Sequence, residues 1–475
     1  MKKRHSHRNG LTGFLLSAAA IAILLGLQIS DVSRFKAQQA DFDASLREMQ
    51  VFVEAYRIVQ ADFADTTKLD PKSLIQGSIR GMLKTLGDPH TRYIPPRDAR
   101  EMMVETQGEF GGIGIHIAME EGRLTVISPV EGTPAWRGGV EAGDIIYKID
   151  GDTTEDMTLD EAVSILRGPP GTPVTIEVLR RGVKKPIPIK LVREVIRVKS
   201  VRGKRYKGVG YIRISQFTEH TAEELDNALA EVGENVEGLI LDLRNNPGGV
   251  LTGAIAVANR FLDTGIIVSI KARDPKQSVT YYASPQTPIT RLPVVVLVNA
   301  GSASASEIVS GAIRDNHRGI LVGVKTYGKG SVQTVENLPD GSRIALTTAR
   351  YFTPSGVSIH GIGIQPDSEV KMPELSDTDK KGLLALNDTF LVRDFAWGKD
   401  TYTKEDVAAL QKVLRKAGII LSDEIAEWRL VRELARRHAD AVYLVPHLDP
   451  QLQKALDLIH AGAVVRPKRP LSGMG

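Results

Sequence analysis

Two stretches concentrate the residue types that can do covalent chemistry. One is 299-NAGSASASEIVSGAIRDN-316, where Ser302, Ser304 and Ser306 stand between an apolar run and a helix-forming run. The other is 321-LVGVKTYGKGSVQ-333, with Lys329 between two glycines. Gly323, four residues and Gly328-Lys329 imitate a phosphate-binding loop. Such a loop needs Ser or Thr next, to hold magnesium, and then a helix. Gly330 follows instead, and Ser331-Val332-Gln333-Thr334-Val335 is a β-branched run that predicts a strand. Lys329 must therefore serve something other than a phosphate.

A serine is a weak nucleophile until a base takes its proton. Serines that open a helix also act as caps, but one cap needs one serine and this turn holds three. The start of a helix also favours a developing oxyanion. The Gly-x-Ser-x-Gly elbow is absent. His317 follows the helix and His360 sits in a glycine turn, neither in a motif-like setting for a base. A lysine serves when its charged form is disfavoured. Moving its pKa from ~10.4 to near 7 takes roughly 4–5 kcal/mol, which burial without a carboxylate partner supplies. Lys329 directly follows an apolar strand, where burial is expected. The amide of Gln333, four residues on, would aim the amine without adding charge; the alternative is an exposed position on a strand over 332–336.

The elements that must position these groups follow from the pattern. The chain has 475 residues, 42% apolar and 25% charged, with a formal charge of +4 and no cysteine. That excludes disulfides, thiolate metal sites and a cysteine nucleophile. No basic stripe with interleaved aromatics points to nucleic acid. GLILDL (238–243) and VVVLVN (294–299) are apolar throughout, as strands buried on both faces are. Strands and helices alternate over 200–370, which argues an α/β core with a mixed sheet. Thr221-x-x-Glu224 reads as a capping box opening a helix to Val232. Further helices are expected over 251–261 and 304–315, and residues 376–475 read as helical and polar.

Residues 108–193 differ: short strands, a glycine turn and one late helix over 159–166. Their order resembles a PDZ domain. GGIGI (Gly111, Gly112, Ile113, Gly114, Ile115) stands where that family's carboxylate-binding loop lies, and AGDIIYKIDG matches its signature strand and turn. A glycine loop offers backbone N–H groups to a terminal carboxylate, and the next strand edge pairs with an extended peptide.

At the N-terminus, Lys2, Lys3, Arg4 and Arg8 precede an apolar run from Leu11 to Ile29. At ~1.5 Å per residue it nearly spans a bilayer core of ~30 Å. The reading is an uncleaved inner-membrane anchor over 11–29 with the remainder exported, the competing one a cleaved signal peptide. Residues 38–63 suit an amphipathic helix, with Phe42, Leu46, Met49, Val53, Tyr56, Val59 and Phe63 on one stripe. That stripe faces either its own domain or a second helix. A further helix is expected over 71–86.

SASASEI, TYGKGSVQ, DLRNNPGG and YFTPSGVSIHGIGIQPD together resemble the C-terminal processing peptidases, or tail-specific proteases, over residues 40–372. These are serine endopeptidases with a Ser-Lys dyad and an attached PDZ domain. The resemblance implies Ser304 as nucleophile, Lys329, 25 residues later, as general base, and Gln333 as the group that orients it. It implies an oxyanion hole from Ala305 N–H and a glycine N–H of the NPGG turn, Gly248 or Gly249. It implies that Arg167 couples tail capture to assembly of the active site. Asp315 also matches a family position and is read as structural, because a carboxylate beside Lys329 would raise the pKa that catalysis needs low. No cofactor or metal is implied. The implied substrates are proteins with free, apolar, disordered C-termini. The reading leaves room for a homo-oligomer and for an envelope adaptor or lipoprotein activator. The division expected is 1–32 anchor, 33–104 N-terminal helical region, 105–193 PDZ domain, 194–375 Ser-Lys core and 376–475 C-terminal helical region, in a bacterial cell envelope.

Three alternatives make different demands; one, a PDZ protease with a His-Asp-Ser triad, would show a GNSGGP-like serine loop, and the sequence has none. A catalytically silent PDZ adaptor would not need Ser304, Lys329 and Gln333 together. A penicillin-binding-type hydrolase would need Ser-x-x-Lys, and the conspicuous match, Ser33 to Lys36, adjoins the anchor.

Overall fold

The structure is a computed structural model that describes residues 46–464, apart from 234, 285–289, 388, 438–441 and 443. The expected anchor over 11–29 and Phe42 of the amphipathic stripe lie outside the described residues. Among those described, no helix is long and apolar enough to cross a membrane. The chain divides into two compact units at Gly87 and Asp88.

The first unit holds a helix over 46–62 and a second helix, Pro71–Lys84. Pro71 occupies the first turn, where its missing N–H costs nothing. Asp70 caps that turn, accepting from Ser73 N–H at 2.8 Å and Ser73 Oγ at 2.6 Å. The apolar stripe on the first helix is solvent-exposed, with Met49 60% and Val53 59% accessible.

The second unit is built on a sheet of six strands. Val201–Tyr206 and Val209–Ile214 form an antiparallel hairpin. Leu239–Asp242, Val294–Val298, Gly319–Gly323 and Ser368–Glu369 continue the sheet in parallel. All five residues of Val294–Val298 are fully buried. Strand side chains alternate between faces, so this run feeds two cores. Val294, Val296 and Val298 pack with Leu225, Val257 and Ile308 from the helices Thr221–Val232, Leu251–Asn259 and Ala305–Asp315. Val295 and Leu297 pack with Leu452, Leu456 and Ile459 of the helix Pro450–His460. The helical C-terminal region thus divides. Its last described helix covers the second face of the core sheet. Asp377–Asn387, Leu391–Ala396, Lys404–Lys416 and Asp423–Arg437 pack around Leu386, Leu410, Leu414 and Leu430.

A second, antiparallel sheet joins Arg92–Ile94, Arg343–Phe352, Ile266–Ala272, Val279–Tyr282 and Ser331–Asn337. The register of its last hairpin slips between Val332 and Gln333.

Residues 113–192 form a separate module. Its antiparallel sheet runs in the order Ile115–Glu120, Arg123–Pro129, Ile145–Ile149, Pro173–Leu179, Ile187–Val192, with Asp152–Thr153 paired to the third. The helix Leu159–Leu166 closes a core of Ile113, Val126, Ile146, Ile176 and Val178. A capping box opens it: Thr158 N–H donates to Glu161 and Glu161 N–H to Thr158 Oγ1. Buried Arg193 closes it, donating to the carbonyls of Ile165 and Leu166, two of the orphan acceptors at a helix end. The ribbon of Glu109–Gly112 with Glu194–Arg197 joins the module to the core. The architecture is an α/β core with mixed sheets and flanking helices, an inserted PDZ-type domain and helical regions at both ends.

One cap departs from expectation. Thr221 is the first helical residue and His220 the N-cap, so Thr221 and Glu224 form no capping box. Thr221 Oγ1 accepts from Thr218 N–H instead. The Glu224 carboxylate takes three donors from the neighbouring hairpin, Ser200 N–H, Ser200 Oγ and Val201 N–H. Residues distant in sequence offered more donors than the helix's own first turn.

Candidate active site

The turn after Val294–Val298 assigns different tasks to its three serines. Ser302 is fully buried; its hydroxyl donates to Leu243 O at 2.8 Å and accepts from Asn299 N–H at 3.0 Å. Ser306 is fully buried and donates to Asn246 O at 2.9 Å. Both tie the turn to the loop after Leu239–Asp242. Ser304 sits at the N-cap with φ 53° and makes no side-chain cap. A non-glycine residue at positive φ and ψ −112° is strained by about 1–3 kcal/mol. The kink is held by surrounding bonds, and it leaves the Ser304 hydroxyl out of the scaffold.

What holds it is Glu307, one helical turn on and fully buried. Its Oε2 accepts from Ser304 N–H at 2.8 Å and from Lys329 N–H at 2.9 Å. Its Oε1 accepts from Gly328 N–H at 2.8 Å and Thr326 Oγ1 at 2.5 Å. Thr326 in turn accepts from Ile364 N–H at 2.7 Å. One carboxylate oxygen therefore takes the backbone N–H of both the candidate nucleophile and the candidate base, which bounds the separation of the two nitrogens by the sum of those distances. Burial pushes the Glu307 carboxyl above its ordinary pKa, against the pull of its four donors. Sequence reasoning missed Glu307 and Thr326. The signal was the Ser-x-x-Glu spacing of 304–307, half of a capping box whose carboxylate is shared with a second loop.

The turn that carries Lys329 is forced by its glycines. Gly328 has φ 93°, and a Cβ on Gly330 would lie 2.2 Å from His360 N. Burial first, and then the charge of Arg92, hold the Lys329 amine below the ordinary lysine pKa. No hydrogen bond joins Ser304 Oγ to Lys329 Nζ among the described residues. Gln333 stands on the register slip of its hairpin. Its amide donates to Ser331 Oγ at 2.8 Å and Thr347 Oγ1 at 3.2 Å, and not to Lys329. His360 packs its backbone on Gly330, against the lysine turn. Asp315 accepts from Ser355 N–H and Oγ and from Arg314, tying the far end of the serine helix to the turn at 353–355.

The third element is 242-DLRNNPGG-249. Gly248 has φ 106° and Gly249 φ 143°. A Cβ on Gly248 would lie 2.9 Å from Ser304 Cβ and 3.0 Å from Ala305 N, and one on Gly249 1.9 Å from Phe217 O. Glycine alone fits both places. The turn starts from a buried ionic cluster. Arg244 binds both oxygens of Asp242 and reaches Asp449 at 2.8 Å, and Tyr211 donates to Asp242 at 2.7 Å. Burial pushes the Asp242 carboxyl up, but Arg244, Arg213 and Tyr211 outweigh it and hold it below the ordinary range.

A serine, a depressed lysine and a glycine turn on neighbouring loops are what acyl transfer requires. The same chain matches Peptidase family S41 over 208–370, a PDZ domain over 125–180, and the activating protease CtpB N-terminal domain over 17–97. A carboxy-terminal-processing protease of Bartonella bacilliformis is 46% identical over 309 residues, 64% of this chain and 71% of that protein. The chain belongs to the C-terminal processing peptidases. It is a protease with an attached PDZ domain. A carboxyl-terminal-processing protease of Synechocystis is 37% identical, covering 70% of this chain and 83% of that one. Among solved structures, the photosystem II D1 C-terminal processing protease shares 31% identity at a TM-score of 0.41, over 69% of this chain and 94% of that one.

In the PDZ domain of this peptidase, Gly111 and Gly112 belong to the ribbon strand Glu109–Gly112, so the loop is shorter than the five residues expected from sequence. Ile113 is buried, and Gly114 has φ 76° with Thr133 filling the place of a Cβ. Ile115 opens the strand Ile115–Glu120, which among the described residues pairs on one side only, with Arg123–Pro129. Arg167 terminates the helix Leu159–Leu166 and lies over the Phe110 ring at 4.6 Å. Both border a cavity of about 570 Å³, lined also by Gly111, Val163, Ser164 and Gly168.

Proposed function

We propose that this peptidase is a serine endopeptidase that captures protein C-terminal tails in its PDZ groove and cleaves with Ser304 and Lys329. The observation that carries this is the shared Glu307 oxygen, which accepts from Ser304 N–H and Lys329 N–H at 2.8 and 2.9 Å. The lysine side chain rotates toward Ser304, takes the Oγ proton, and Ser304 attacks the scissile carbonyl. Ala305 N–H and a glycine N–H of the NPGG turn receive the oxyanion. Gly248 N–H already donates to Asn246 Oδ1, which favours Gly249 for that role. Lys329 returns the proton to the departing amine, and water then releases the acyl-enzyme. The Gln333 carbonyl, left over by its amide's bonds, orients the amine. Ile115–Glu120 offers an edge unpaired among the described residues, with Ile113 and Gly114 before it, for an extended peptide ending in a free carboxylate. Arg167 at the end of the groove helix relays occupancy to the core. The charges and apolar run of residues 2–29 support an extracytoplasmic site of action with an N-terminal anchor. The division given by the sequence is adjusted at two places: residues 88–104, whose strand Arg92–Ile94 pairs with Arg343–Phe352, and Pro450–His460 are assigned to the core.

The test uses the full chain as wild type, Ser304→Ala and Lys329→Ala, with an unstructured polypeptide ending in apolar residues and the same chain ending in charged ones. Cleavage by wild type alone, faster for the apolar tail, is expected. Cleavage by Ser304→Ala would refute the assignment of the nucleophile. Binding of the apolar tail without cleavage by any form would favour a silent adaptor.

A further inference from the structure

The oxyanion turn must be held against the nucleophile to within a fraction of an ångström, because its N–H groups act at a site that exists only during reaction. Glycines cannot hold themselves there: their freedom is what permits the fold of the turn and also what loosens it. Asn246 supplies the missing restraint. It is fully buried. Its Oδ1 accepts from Gly248 N–H at 2.9 Å, closing a side-chain-mimicked turn over Pro247. Its Nδ2 donates to Ile214 O at 2.9 Å, at the end of the core strand Val209–Ile214. Its carbonyl accepts from Ala303 N–H at 3.0 Å and Ser306 Oγ at 2.9 Å, on either side of Ser304. Four hydrogen bonds from one residue thus join a rigid strand, the glycine turn and the nucleophile turn.

We infer that Asn246 is a positioning residue for the oxyanion site, setting the distance between the glycine turn and Ala305 N–H without touching substrate. The inference rests on the Ser304–Lys329 reading. Loss of the Asn246 side chain frees Gly248 N–H, and the turn loses its tie to Ile214. Both the glycine donors and the space opposite Ser304 then drift. The backbone carbonyl of residue 246 stays, so the serine turn keeps its own bonds.

The experiment compares wild type, Asn246→Ala, Asn246→Ser and Ser304→Ala as full chains. It measures kcat and KM on an apolar-tailed polypeptide, inhibition by a peptide aldehyde, binding of an uncleaved tail peptide, and the thermal midpoint. Removing one oxyanion donor costs about 10²–10³ in kcat elsewhere, and misplacing one is expected to cost about 10- to 100-fold. Asn246→Ala should lose that factor in kcat with KM and tail binding within about twofold, and should lose aldehyde affinity in parallel, because both report the transition-state oxyanion. Asn246→Ser, whose hydroxyl can accept the same N–H, should recover part of the loss. Wild-type kcat in Asn246→Ala would overturn the inference while leaving the dyad intact. So would a loss confined to KM, or a loss in either variant that tracks a collapsed thermal midpoint. Activity in Ser304→Ala would overturn the protease reading, and the inference with it.

Discussion

The proposed catalytic corner and the proposed tail-binding groove of the PDZ domain are built on opposite terms. Around Ser304 the supporting groups are tied down: Glu307 takes four donors, Asn246 makes five bonds, and the Ser302 and Ser306 hydroxyls are engaged. In the PDZ domain, the strand Ile115–Glu120 leaves one edge unpaired among the described residues. Chemistry needs donors fixed before the reaction, since reorganising them would add to the barrier. Capture of varied tails needs an edge whose main-chain bonds ignore side chains. Changes in the corner should therefore act on kcat, and changes in the groove on KM.

The widest separation is expected at the dyad. Ser304→Ala or Lys329→Ala should lower kcat by about 10⁴-fold or more with tail binding unchanged, read by cleavage and by peptide titration. Next comes Glu307→Gln. Its amide would place an N–H₂ against donors that now meet a carboxylate, leaving buried N–H groups unpaired at about 1–3 kcal/mol each. Activity should fall at least about 30-fold and the urea midpoint should drop; an unchanged midpoint with full activity would deny Glu307 its bridging role. In the groove, Gly114→Val meets both φ 76° and Thr133, and should raise KM about tenfold for an apolar tail while leaving kcat within about twofold.

The smallest effect concerns pH. Burial and Arg92 depress the Lys329 pKa, and in the proposed mechanism the neutral amine is the base, so activity should rise as pH climbs through that depressed value. Arg92→Gln removes a positive neighbour, which eases protonation of Lys329. The rising limb should move to higher pH while the plateau holds. A limb that moves down would reverse the electrostatic argument.

Much of this was legible in the sequence because local chemistry decides it. Apolar runs such as VVVLV mark strands covered on both faces, and the helix Leu159–Leu166 carries its own capping box. The motifs around Ser304, Lys329 and NPGG named the family. Where donors outside the helix compete, the local reading failed: Glu224 answers the distant Ser200 and Val201, and Thr221 answers Thr218 just before the helix, so they form no box. Glu307 and Asn246 were passed over for the same reason, since their acceptors and donors lie up to dozens of residues away. The residue types able to do the chemistry, and the family they belong to, were determined by the sequence alone. Tertiary structure decided which of three serines keeps its hydroxyl, which carboxylate joins it to the lysine turn, and which side chain steadies the glycines. Those choices depend on hydrogen bonds that exist only once separate strands and helices have packed.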